Sequence, residues 1–544
     1  MVVARTSQMR VPPSISAAAS KPAPELTMVA LGDSLTAGTQ DAVTRVSRQE
    51  MVYTGQMARA AGIPFNMPAV SEPGIPFEIF GSSSLDIGPF ARAKKLFMVA
   101  LTPLAAWTYY LGAPPFIYPP VGEMLGSGRR IPESRSTPER PQHSFAVAGF
   151  EARHLNEVSH ARDFMDLILQ RTEDVGSLAA QVPLIRATLQ NGRCRSAGTQ
   201  LDQAIAARPD LVVLWAGGND ALEAAFRGQV DDRTLTPVED RIWHFRDPGL
   251  ISPGDLITTS EPLTGFRSTF TGPSGLLTRL LGETDAEIVL MNVPNVNVIP
   301  NLVALGRPVG PLPFRILLKD GTDVTGAIEN MVVPREVRGP GKKGRTHFPP
   351  GTRVPLMTLL SRLVVDGPVD NLASFQDALL RAQQGGFLTE DEALDPEEMA
   401  QIQARVQQYN DVLRQAAAGT PRIHLVDVQR ILNDIRISGR PLRGPGEEQI
   451  RVTTTFTGVC DLRGFGGIFS YDGVHPSDTG HAVIANVVLD AIREQLGGNP
   501  KFARFLQARP IDEKSVFRAD PHQGGRHALV LDRSTIETLI LGTR

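Results

Sequence analysis

Five short apolar stretches punctuate the chain: Thr27–Leu31, Phe145–Ala148, Leu211–Trp215, Ile288–Met291 and Ile423–Val426. Each is mostly aliphatic and bounded by turn-forming or polar residues, the pattern of a strand buried on both faces. Helix-compatible sequence lies between them. Gln200–Ala207 leads directly into the third stretch, and Pro396–Ala417, apolar at near-helical spacing, leads into the fifth. Strands alternating with helices predict a parallel sheet with helices on both faces. Sheets of this kind gather chemistry at the carboxyl ends of their strands.

The stretches are too far apart for a bare three-layer domain, so long insertions must separate them. One spans roughly residues 81–142 and is proline-rich. Within it Leu96–Val121 carries no charge, and Leu96–Leu111, with Trp107, Tyr109 and Tyr110, reads as a helix before prolines break it. That helix is shorter than the ~20 residues a bilayer span needs. It reads as a cap or lid lining a pocket, or equally as a buried core helix, with contact to a membrane surface as a third reading. A second insertion spans roughly residues 301–387, where Lys319-Asp320-Gly321-Thr322 between apolar runs predicts a hairpin. Arg335, Arg338, Lys342, Lys343 and Arg345 form a basic stretch that reads as a solvated loop, one that would suit anionic lipid head groups. Residues 1–26 read as a disordered leader without the apolar core of a signal peptide. Export does not use this start, or a signal has been removed, or another start is used; localisation stays open. Residues 27–498 are expected to form the main domain, and 499–544 a tail without readable pattern.

Composition changes little. With 42 % hydrophobic and 21 % charged residues the chain is ordinary globular material. A net charge of −3 supplies no basic field for nucleic acid. Cys194 and Cys460 are too few for a disulfide framework or a zinc cluster, and read as two buried thiols or one long-range bridge.

Three segments carry chemistry. The first stretch runs into Gly32-Asp33-Ser34-Leu35, which puts Ser34 at the carboxyl edge of the sheet and at the start of a helix. Unpaired N–H groups there suit a serine whose reaction makes an oxyanion, although serine at such a place also serves as a helix cap. The third stretch ends in Gly217-Gly218-Asn219-Asp220, where Asn219 can present its amide beside Ser34 or simply complete a turn. Farther on, Tyr471-Asp472-Gly473-Val474-His475-Pro476 spaces a carboxylate three residues before an imidazole. That spacing lets the carboxylate hold one ring nitrogen while the other faces a nucleophile; an aspartate cap with an incidental histidine fits it too. Asn292, Asn295 and Asn297, after the fourth stretch, read as turn residues that could also line a pocket.

Together, Gly-Asp-Ser-Leu after the first strand, Gly-x-Asn-Asp after the third and Asp-x-x-His toward the end resemble the GDSL or SGNH hydrolase family in order and context. Ser71–Pro76, Asn292–Val296 and Val406–Leu413 resemble segments of its large bacterial members, so the likeness covers most of Met28–Leu496. It implies a three-layer α/β/α flavodoxin-like fold, with a central five-stranded parallel sheet and long insertions. Ser34 would be the nucleophile, His475 the general base, and Asp472 its orienting carboxylate. The oxyanion donors would be Asn219, the Ser34 N–H and a glycine after the second strand, best matched by Gly149, with Gly74 a weaker match. The Gly-x-Ser-x-Gly elbow of α/β-hydrolases is absent. The expected activity is that of an esterase or lipase acting on a small-molecule or lipid ester, without metal or organic cofactor. Acyltransferases, thioesterases and carbohydrate deacetylases share these motifs. A different class, a catalytically silent binding or envelope protein, would keep the fold without the chemistry.

Overall fold

The structure, a computed structural model, describes residues 26–70, 141–161, 163, 184–190, 196–228, 230–232, 234–247, 257–339, 343–365, 369–524 and 527–532. At its centre lies a parallel sheet of four strands, β1 (Met28–Gly32), β2 (Leu211–Trp215), β3 (Glu287–Met291) and β4 (Ile423–Val426), side by side in that order. Leu31 pairs with Leu214, Leu214 with Leu290, and Leu290 with Leu425. Every residue of β1 and β2 is buried, which explains why their sequences are unbroken apolar runs rather than alternating ones.

The stretch Phe145–Ala148, expected as a fifth strand, does not form one. The chain instead runs parallel to the outer edge of β1 through a single bridge between Ser144 and Ala30. Ala30 N–H donates to the His143 carbonyl (2.8 Å) and Phe145 N–H to the Ala30 carbonyl (3.0 Å). Pairing stops where Gly149 turns into the left-handed region at φ 81°, leaving a contact too short for a regular ladder.

Helices follow the strands closely. α1 (Ser34–Ala37) begins one residue after β1. α2 (Gln200–Ala206) opens with a capping box between Thr199 and Asp202 and packs against β1. α3 (Asn219–Arg227) begins beyond the glycine pair that follows β2. α4 (Pro396–Ala418) starts with Asp395 as cap, Pro396 in its first turn and Glu398 closing the box, and it packs on β4. α5 (Asp478–Leu496) is capped by Ser477 and packs on β4 and on the helix Tyr53–Ala61.

The insertion over residues 301–387 builds a second apolar core around Phe314, Ile316, Leu360 and Phe375, to which Leu529 and Leu531 of the tail contribute. The predicted hairpin at Asp320-Gly321 forms as a short antiparallel turn. Leu318 N–H reaches the Thr322 carbonyl (2.9 Å), Val324 N–H reaches the Ile316 carbonyl (2.9 Å) and Leu317 bridges Asp323, after which the chain enters the helix Thr325–Glu329. The strand Arg315–Leu317 takes its ladder partner from the tail strand Ala528–Val530, in parallel. Residues 528–531 of the tail are therefore part of the fold.

Two further expectations change. Cys460 is an exposed free thiol rather than a buried one. Within the basic loop, Lys343 pairs with Asp395 (2.9 Å) and Glu398 (2.8 Å), and Arg345 also pairs with Asp395, so these two cations hold the start of α4 rather than standing free in solvent. The leader up to residue 25, the Leu96–Leu111 segment, Gly74, Cys194 and Lys342 lie outside the described residues. Among the described residues no helix is long and apolar enough to cross a membrane.

Candidate active site

The carboxyl ends of β1 and β2 approach closely because Gly32 has no side chain: a Cβ there would lie 2.2 Å from the Trp215 carbonyl oxygen. The next residue, Asp33, caps α1 by accepting the Leu35 N–H (3.0 Å). Ser34 is thus the first residue of the helix and not its cap. Its hydroxyl makes no hydrogen bond among the described residues, and the residue is 7 % exposed. At the end of β2, Gly217 lies at φ 104° with Phe266 and Val293 packed where a Cβ would stand, and Gly218 leaves room for the Asp33 carboxylate. The glycine pair serves this close approach, and it delivers Asn219 as the first residue of α3. The Asn219 side-chain amide donates one N–H to the Phe150 carbonyl (2.9 Å), and a second remains.

Asp472 and His475 belong to one tight loop. Nδ1 of His475 lies 2.7 Å from Oδ2 of Asp472, which also accepts the Ala42 N–H. Oδ1 of Asp472 accepts the N–H groups of Val474 (2.8 Å) and His475 (2.9 Å) and the Ser470 hydroxyl (3.1 Å). Asn301, where the second insertion begins, donates its side-chain amide to the Asp472 carbonyl (2.6 Å). Gly473 makes the loop possible at φ 66°, with Phe456 and the Asn301 backbone filling the space a Cβ would need. Burial raises the carboxyl pKa of Asp472, but the His475 charge and the hydrogen bonds outweigh it and hold the value below the ordinary one. For His475 burial lowers the pKa, and the Asp472 carboxylate more than reverses this, with Asp33 and Asp41 adding to the rise.

Ser34, Asn219 and His475 line one pocket, whose walls are otherwise mainly apolar, with Leu35, Leu222, Val296 and Leu432 among them. Of the predicted site residues, the structure gathers these three around the pocket, with Asp472 behind His475. Gly149 does not line it. Its neighbour Phe150 is tied to Asn219, and Ala152 N–H donates to Asp220 (2.9 Å), so the loop after residues 143–147 stands beside the start of α3. Asn295 lines the pocket and also accepts from the Gln429 side chain (2.9 Å). Asn292, expected as a turn residue, instead bonds across to the start of the segment after β4, donating to Asp427 (2.8 Å) and accepting the Gln429 N–H (2.9 Å). Asn297 does not line the pocket.

Two buried groups at the pocket and beside it have strongly shifted pKa values, Asp33 within the Gly-Asp-Ser-Leu motif and His481 outside every motif. Asp33 is pushed up to about 7 by burial, against the Leu35 N–H and the His475 charge and with help from Asp220. His481, in the second turn of α5, is buried against Tyr53, and burial lowers it to about 3, so it stays neutral and adds no second positive charge beside His475. Among the described residues no cluster of His, Cys, Asp and Glu could hold a metal ion. Compared with known proteins, the chain matches no family model, no curated protein and no solved structure.

Proposed function

We propose that the protein is a serine hydrolase of the GDSL (SGNH) type that cleaves carboxylic esters through an acyl-enzyme on Ser34. One observation carries the reading: an uncommitted serine hydroxyl, an asparagine amide with a free N–H and a histidine backed by a buried carboxylate meet around one apolar pocket. With residues 143–147 counted as a second strand, the order 2-1-3-4-5 across the sheet supports the flavodoxin-like layout expected of such a hydrolase.

In this reaction Nε2 of His475 takes the Ser34 hydroxyl proton as Oγ attacks the ester carbonyl carbon. Asp472 fixes the ring through Nδ1 and stabilises the imidazolium. The oxyanion is met by the Asn219 amide and the Ser34 N–H. Collapse breaks the bond to the alcohol oxygen, which leaves with the proton from His475. A water then repeats the sequence and releases the acid. No step calls on a metal or an organic cofactor. The apolar walls favour an acyl chain over a sugar ring, which argues for simple or lipidic esters.

The test is hydrolysis of p-nitrophenyl esters from acetyl to palmitoyl, by wild type and Ser34→Ala. Turnover that vanishes in the variant is the expected result, and the chain-length optimum measures the pocket. Folded wild type inactive at every length would overturn the ester-hydrolase reading.

A further inference from the structure

Behind Asp472 lies a second buried polar cluster whose parts come from three distant places in the chain. Between Gln40 and Val43 the backbone makes a two-residue turn closed by hydrogen bonds in both directions (3.0 and 2.9 Å). Both central residues are left-handed, Asp41 at φ 57° and Ala42 at φ 61°. Neither is glycine, and two such residues in a row are costly unless their surroundings hold them. This conformation aims the Ala42 N–H at Oδ2 of Asp472, the oxygen that His475 uses, and the Asp41 N–H at the Ser470 hydroxyl (3.1 Å), which itself donates to Asp472.

What holds the turn is its own carboxylate. Oδ1 of Asp41 accepts the Tyr471 N–H (3.0 Å) and receives Nε2 of His522 (2.8 Å), a residue 481 positions farther along the chain. The other ring nitrogen of His522 lies 2.7 Å from Oδ1 of Asp520, whose second oxygen accepts the N–H (2.8 Å) and hydroxyl (2.7 Å) of Thr479 in the first turn of α5. The His522 ring also stands edge-on to Tyr471 at 4.6 Å. Arg45 pairs with Oδ2 of Asp41 (3.4 Å), and Arg48 pairs with Asp478 (3.3 Å).

We propose that His522 and Asp520 are positioning residues for Asp472: bridging Asp41 and Asp520, the His522 ring locks the strained Asp41–Ala42 turn whose N–H groups, directly and through Ser470, orient the carboxylate behind His475. The two flanking carboxylates keep this ring an imidazolium at neutral pH, its pKa being raised to about 10 against the effect of burial. Neither residue lines the pocket, so the effect falls on the chemical step and not on substrate binding. The inference rests on the ester-hydrolase reading of Ser34, Asp472 and His475.

The experiment compares full-length wild type with His522→Gln and Asp520→Asn. It measures kcat and KM on p-nitrophenyl butyrate, the rate constant and end-point of Ser34 labelling by a fluorophosphonate, and the downfield proton resonance of His475 Nδ1. In His522→Gln, kcat and the labelling rate constant are expected to fall tenfold or more. KM should stay within twofold, the labelled fraction should match wild type, and the Nδ1 proton should shift or broaden. Asp520→Asn, which leaves the Asp41–His522 contact in place, should change the same quantities less, and it carries the test if His522→Gln does not fold. Unchanged kcat and an unchanged Nδ1 resonance in folded variants would overturn the proposal. So would a lower labelled fraction with an unchanged rate constant, which is the mark of mere destabilisation. A wild type that does not label, while the resonance still responds to His522→Gln, would refute the serine-hydrolase reading and leave the clamp standing.

Discussion

Nδ1 of His475 and Oδ2 of Asp472 lie 2.7 Å apart, and the carboxylate that accepts this contact is itself held by four further donors. So heavily bonded a carboxylate stays ionised even when buried and raises the pKa of the imidazole it faces. A general base must be neutral to take a proton. Activity should therefore rise with pH through a His475 pKa above its ordinary 6.5. In Asp472→Asn the largest raising charge is gone, while burial, which lowers the pKa, and the smaller pull of Asp33 and Asp41 remain. The acid limb of kcat/KM should move to lower pH, and kcat should fall by roughly 10⁴-fold, the scale seen when a triad loses its carboxylate. A pH–rate profile of both proteins checks this; an acid limb at the same pH in both would separate Asp472 from the base.

Asn219 has two tasks, and they predict two separable losses. One amide N–H holds the Phe150 carbonyl, and the residue also lines the pocket with Ser34. Asn219→Ala should lower kcat by about 10²–10³-fold, equivalent to roughly 3–4 kcal/mol of barrier, with little change in KM. It should also cost about 1 kcal/mol of stability, because the Phe150 carbonyl loses its donor. Steady-state kinetics beside urea unfolding reads both. A stability loss without a kcat loss would reduce Asn219 to a turn residue.

The parts of this site that the sequence makes legible are those whose chemistry is local. Asp33 and Ser34 follow a strand, Asn219 follows another, and Asp472 and His475 sit three residues apart, so each can be recognised within a few positions. The apolar runs likewise place β2 and β4 at their observed bounds, because strands within the sheet leave a mostly apolar record, interrupted in β4 by His424. Phe145–Ala148 leave a similar apolar record, yet the chain there pairs with β1 only through the Ser144–Ala30 bridge, and composition cannot distinguish such a contact from a ladder. The supports of Asp472 are illegible for another reason. Ala42 is 430 residues from it, Asn301 is 171, and His522 reaches Asp41 across 481. Nothing in the neighbourhood of an alanine or of a tail Asp-x-His announces such contacts; only the folded chain creates them. The left-handed turn at Asp41-Ala42 is equally silent, since it contains no glycine.

Asp33 supplies the last prediction, and it concerns stability. Its folded-state pKa of about 7 lies above the ordinary 3.8 because burial disfavours the carboxylate. The folded state thus binds a proton that the unfolded state gives up more readily. By linkage this stabilisation is fully present below about pH 4 and is lost as pH rises through 7. Asn in place of Asp33 cannot ionise, yet keeps an oxygen to accept the Leu35 N–H. The stability of Asp33→Asn relative to wild type should therefore increase between pH 5 and pH 8, by about 2–4 kcal/mol for a shift of this size. Urea unfolding at pH 5, 6.5 and 8 measures it. Parallel stability curves for the two proteins would mean that Asp33 is already ionised at pH 5, and that the nearby imidazolium of His475, rather than burial, governs its charge.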